Sequence, residues 1–81
     1  MPKWRVLLGA EVLAILATFG FLKIGQAGSH VKVQRVIQGP RRQTLTVPLH
    51  RELDRGTLHA IFRQAVRFIP ESELRVYFQI D

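Results

Sequence analysis

Three histidines, His30, His50 and His59, are the residues of this 81-residue chain best suited to acid–base chemistry. Imidazole has an ordinary pKa of about 6.5, so it can give or take a proton near neutral pH. The chain has no cysteine, which removes thiol nucleophiles, disulfides and thiolate metal sites. No His, Asp and Glu cluster stands at metal-ligand spacing, so no metal cofactor is expected. Gly25 and Gly28 match no nucleotide-binding glycine loop and open no helix.

The surroundings of the histidines narrow the chemistry. Between positions 23 and 51 stand six basic residues, Lys23, Lys32, Arg35, Arg41, Arg42 and Arg51, and no acidic one. Such a stretch suits phosphate, and its bland alternative is the solvated surface of a basic protein. His30 follows a Gly-Ser pair within this stretch, His50 precedes Arg51, and His59 falls on a helical face. RNA cleavage asks for little more. The 2′-hydroxyl is an internal nucleophile, so a base, an acid and phosphate-neutralising cations suffice. These strands carry no interleaved aromatics, which points to binding through shape and backbone rather than base stacking.

The elements that must position these residues follow from periodicity. Leu8, Val12, Ile15, Leu16 and Phe19 recur at helical spacing, predicting a helix over 8–19 that Gly20 ends. Its other face, with Gly9, Ala10, Ala14, Ala17 and Thr18 and Glu11 as its only charge, is small enough to pack against a second chain, the equal alternative being an exposed Ala-rich helix. A short strand is expected over 21–25, then a turn at Gly25-Gln26-Ala27-Gly28. Alternation predicts strands over 30–38 and 43–49, the second an edge or an ending strand because Pro48 lacks a donor. Leu58, Ile61, Phe62, Ala65, Val66 and Ile69 predict a helix over 57–68, capped by Thr57 or Asp54. His59, Arg63 and Arg67 share its opposite face. The last element, 71–79, starts like a helix at Pro70 and its acids but also alternates like a strand. The fold class is α+β: a helix, a three-stranded antiparallel sheet and a helix, then a short C-terminal element, within one domain over 1–81.

Composition bounds the partners. A net charge of +6 with 47% hydrophobic residues fits a folded domain with an anionic partner, nucleic acid or a membrane surface. The longest uncharged run, residues 12–22, is too short for a spanning helix, which needs roughly 20 apolar residues. A signal segment is the weaker alternative, since Glu11 interrupts the apolar stretch. A core helix, no membrane association and a cytoplasmic location are therefore expected.

An ordered series of motifs adds a resemblance. Gly20-Phe21, Gly28-Ser29-His30, Val47-Pro48-Leu49-His50, Arg51-Glu52-Leu53, Gly56-Thr57-Leu58 and Arg63-Gln64-Ala65 follow one another across most of the chain. In this the chain resembles the HicA family of bacterial toxins, the mRNA interferases of HicA–HicB toxin–antitoxin pairs. The resemblance implies a fold like the double-stranded RNA-binding domain and metal-independent endoribonuclease cleavage of mRNA, often on the ribosome. It also implies inhibition by a HicB-like antitoxin. It makes His30 the catalytic residue, with Gly28 and Ser29 positioning it, and includes His50 as a motif residue. Lys23, Lys32, Arg35, Arg41 and Arg42 are the candidate RNA-binding cations. The sequence departs from the family pattern at Gly25-Gln26-Ala27, where Arg-Gln-Lys often stands, at Val31 in place of a second histidine, and at Val66 in place of glycine. The lost cations favour the alternative of a non-catalytic basic RNA-binding module.

Overall fold

The computed structural model describes residues 3–39 and 41–80. In chain order its elements are β1 (Lys3–Trp4), α1 (Gly9–Thr18), β2 (Leu22–Ala27), β3 (His30–Val36), β4 (Arg42–Pro48), α2 (Arg55–Ala65), α3 (Glu71–Phe78) and β5 (Gln79–Ile80). Strands β2, β3 and β4 form an antiparallel sheet in that order, and β1 pairs with β5 in a separate two-stranded ribbon. The chain is thus α+β, with three helices and a three-stranded antiparallel sheet. That arrangement agrees with a double-stranded-RNA-binding-domain-like fold.

Each boundary has a local cause. Helix α1 buries Val12 and Leu16, while Ala10, Ala14 and Ala17 remain exposed. At its start the Leu8 N–H donates to Glu11 Oε1 at 2.8 Å, placing a carboxylate in the first turn where the helix dipole favours it. At its end Gly20, with φ 91°, allows the Gly20 N–H to reach Ala17 O and the Phe21 N–H to reach Leu16 O. This Schellman turn takes Phe21 out of the expected strand and buries it, so β2 begins one residue later. Helix α2 starts at Arg55, two residues before its expected start, because Asp54 rather than Thr57 is the cap: Asp54 Oδ1 accepts the Thr57 N–H at 2.7 Å.

The expected turn at Gly25-Gln26-Ala27-Gly28 is mostly strand. A bulge between Lys23 and Gly25 lets β2 continue to Ala27, opposite His30. Only Gly28 and Ser29 turn the chain, with Gly28 at φ 59° in the first turn position, where a two-residue hairpin favours glycine. Strand β4 is an edge and Pro48 is its last residue, where a missing donor costs no ladder bond. The terminal segment is helix through Phe78 and strand at Gln79 and Ile80. Strands of two residues carry no periodicity, and the ribbon they form with Lys3 and Trp4 has no sequence signature.

The core lies between one sheet face and the helices. Val31, Val33, Leu45 and Val47 point from the sheet into it. Val12 and Leu16 of α1, Leu58, Ile61, Phe62 and Ala65 of α2, and Leu74 and Phe78 of α3 meet them. The other sheet face is open.

Gly9 fixes where α1 sits. Its N–H donates to His50 O at 2.9 Å, and a Cβ there would lie 2.5 Å from Pro48 O and 3.0 Å from His50 N and O. Alanine is intrinsically the better helix former, but here it must push α1 away from the chain that leaves β4. Overpacking of this kind costs about 1–3 kcal/mol. Gly9→Ala is therefore expected to lower the thermal midpoint by roughly 10 °C, measured by circular dichroism. An unchanged midpoint would show that this contact yields freely.

Candidate active site on the open sheet face

Strand register sorts the candidate residues by face. His30 pairs with Pro48, Lys32 with Thr46, Gln34 with Thr44 and Val36 with Arg42. Because neighbours in a strand alternate, these residues occupy the open face while Val31 and Val33 are buried behind them. His30 is exposed at the first position of β3, directly after the Gly28-Ser29 turn. Lys32 stands two residues along the same face, roughly 7 Å away at strand spacing. Arg42 is at the far end, where its Nη1 donates to Gln34 Oε1 at 3.2 Å, and Gln34 Nε2 donates to Thr44 Oγ1 at 3.2 Å.

Not every cation of the acid-free stretch shares that face. Lys23 pairs with Val33 and so belongs to the opposite side of the edge strand, where its Nζ donates to Gln26 Oε1 at 2.8 Å. Gln26 in turn donates from Nε2 to Gly28 O at 2.9 Å, bracing the hairpin that carries His30. Arg35 points toward the helices. Its Nε and Nη2 donate to Gln43 Oε1 at 2.9 and 2.7 Å, its Nη1 to Phe19 O at 3.1 Å and its Nη2 to Phe68 O at 2.8 Å. Its guanidinium also lies 4.7 Å from the Phe21 ring centroid. Arg41 is exposed in the β3–β4 connection, and Arg51 is exposed in the loop after β4. The single basic face expected from the sequence is therefore divided: Lys32 and Arg42 on the open face, Arg41 beside it, Lys23 and Arg35 behind.

His59 stands apart from this face on α2, and His50 lies in the loop two residues past Pro48, the strand partner of His30. Ser29 O accepts the Leu49 N–H, which ties the His30 turn to the segment bearing His50. No hydrogen bond joins His30 to His50 among the described residues. His50 is exposed and close enough to Asp54 to act on its charge. The Asp54 carboxyl is held below its ordinary pKa chiefly by the Thr57 N–H and then by the Thr57 hydroxyl, with the field of His50 a smaller contribution. His59, expected on an outward face with Arg63 and Arg67, is instead half-buried, with its ring centroid 4.0 Å from that of Trp4. Its Nε2 is enclosed without a hydrogen-bond partner among the described residues. The sequence signal for that burial was Trp4 itself, a large apolar ring outside every periodic stripe.

Geometry alone leaves an exposed histidine beside a lysine on an acid-free open sheet. The family comparison decides the lineage: a model described as HicA toxin of bacterial toxin–antitoxin systems matches residues 9–66. The chain belongs to the HicA toxin family. The match runs from the first residue of α1 to the C-cap of α2, taking in the whole three-stranded sheet and both helices nearest it. A search of curated proteins finds no match, and neither does a search of solved structures. Membership of HicA implies a cognate antitoxin as partner. Among the described residues no helix is long and apolar enough to cross a membrane.

Proposed function

We propose that this HicA protein is an endoribonuclease of the cytoplasm that cleaves mRNA with His30 as general acid or base and is silenced by a HicB-like antitoxin. The observation that carries the proposal is His30 itself: the histidine of Gly28-Ser29-His30 stands exposed at the head of β3 on a face that bears Lys32 and, among the described residues of the sheet, no carboxylate. In the proposed reaction the 2′-oxygen attacks the adjacent phosphorus and the P–O5′ bond breaks. A proton leaves the 2′-hydroxyl and another reaches the departing 5′-oxygen. His30 makes one of these transfers. Lys32 offsets the charge that builds on the phosphate. Each product then has a defined end, a 2′,3′-cyclic phosphate or a 5′-hydroxyl.

Purified protein is expected to cut mRNA at full rate in excess EDTA, leaving cyclic phosphate ends. Loss of cleavage in EDTA, restored by a divalent cation, would contradict metal independence. Salt dependence then separates the cations. With Lys32, Arg41 and Arg42 engaged, log affinity against log salt should fall with a slope of about −2, whereas engagement of Lys23 and Arg35 as well would give about −3.5.

A non-catalytic RNA-binding module is the second reading, favoured by the small number of cations left on the open face once Arg35 and Lys23 are placed behind it. Salt-sensitive RNA binding without cyclic phosphate product would select it.

A further inference from the structure

On the open face, next to His30, β2 leaves a shallow depression of about 400 Å³ lined by Ile24, Gly25, Ala27, His30, Lys32 and Thr46, with Gln26 at its edge. Two local features make it. The bulge between Lys23 and Gly25 brings Ile24, which is 53% exposed, to its wall. The next open-face positions of β2, Gly25 and Ala27, are small, and a Cβ built on Gly25 would meet nothing within 4 Å.

We infer that this depression receives one nucleobase of the RNA, the base beside the phosphodiester that His30 acts on, and so determines where the chain is cut. This rests on the RNA-cleaving reading above and names the feature of its substrate. The lining fits that occupant. Ile24, Ala27 and the bare Gly25 backbone offer an apolar wall to the flat side of a ring, while Thr46, Lys32 and His30 offer polar atoms to its edge and to the attached phosphate. The volume is near the lower end of the roughly 300–1,000 Å³ typical of small-ligand clefts, which suits a base and not a folded RNA element. Unpaired bases are the part of RNA that can be turned out into such a site. No aromatic ring lines the depression, so the base is held by shape and not by stacking.

The test uses short 2′-O-methyl oligoribonucleotides, which lack the nucleophile and cannot be cut, with each position in turn made abasic. Wild type should bind the intact oligonucleotide about tenfold more tightly than the one abasic at the seated position. Gly25→Leu, which fills open space on an edge strand, should lose that difference while melting like wild type. Ala27→Val narrows the same depression and serves as the second variant. Equal affinity of wild type for every abasic oligonucleotide would overturn the inference and leave the depression to the antitoxin. A Gly25→Leu protein with the wild-type preference would overturn it as well. A failure of the cleavage reading shows separately, as wild type that discriminates bases but does not cut cleavable RNA.

Discussion

Replacing Arg35 with methionine is expected to destabilise the protein by about 2–4 kcal/mol, with no change in the open face. Arg35 lacks a carboxylate partner among the described residues. Its charge is instead met by the carbonyl of Phe19 at the C-cap of α1, the carbonyl of Phe68 just past α2, the Gln43 side chain and the Phe21 ring. The C-terminal ends of helices carry negative partial charge, and α1 has no basic residue of its own in its last turn. One side chain from the sheet thus ties together the ends of both covering helices. Methionine keeps much of the stem's packing but abandons two carbonyls and an amide. Each half-buried acceptor left unpaired costs about 1–3 kcal/mol, less where water reaches it. Chemical denaturation should show the loss, and Arg35→Met combined with Gln43→Ala should lose less than the sum of the singles. A change below about 0.5 kcal/mol would mean that Arg35 is a surface cation after all.

Arg35 also shows where the sequence was and was not legible. Alternation along β3 placed Arg35 in phase with Val31 and Val33, the buried residues, yet a positive charge read alone suggests solvent or phosphate. Its partners are backbone carbonyls, and the sequence does not advertise which carbonyls helix ends leave free. Helices α1 and α2 were readable because their apolar residues recur at a strong period, but Asp54 as the cap moved the α2 start to Arg55, and α2 ended at Ala65 and not at 68, where the Phe68 N–H turns back to Ala65 O. Strand β2 was less readable. Its bulge at Lys23 and Gly25 breaks the alternation, so the glycines looked like a turn and the depression beside His30 had no pattern to announce it. The β1–β5 ribbon depends on contacts between the two ends of the chain, and two residues cannot show a period. The placement of His30 was the most legible feature of the site, since a Gly-Ser turn before a strand puts the next residue at its first position.

The second large effect is expected at that position. His30→Ala should reduce RNA cleavage by about 10²–10⁴-fold, the usual worth of a positioned general acid or base. Its fold should be unaffected. His30 is exposed at a strand terminus and the core residues behind it belong to its neighbours Val31 and Val47. A substitution at such a site ordinarily changes stability by no more than about 0.5 kcal/mol. RNA affinity should also hold, because Lys32, Arg41 and Arg42 remain. The expected signature is therefore a fall in kcat with KM nearly constant, which separates a lost proton transfer from a lost contact. His50→Ala should fall well short of this, since His50 lies in the loop after β4 and outside the Gly28-Ser29 turn that places His30 at the head of β3. In cells, expression of His30→Ala without antitoxin should permit growth that the wild-type protein arrests.

The most direct measurement compares purified wild type and His30→Ala on one mRNA in EDTA, following the appearance of 2′,3′-cyclic phosphate ends while thermal melts confirm that both are folded. The expected result is rapid end formation by wild type and at least about a hundredfold slower formation by His30→Ala at equal melting temperature. Equal rates from the two proteins would contradict it.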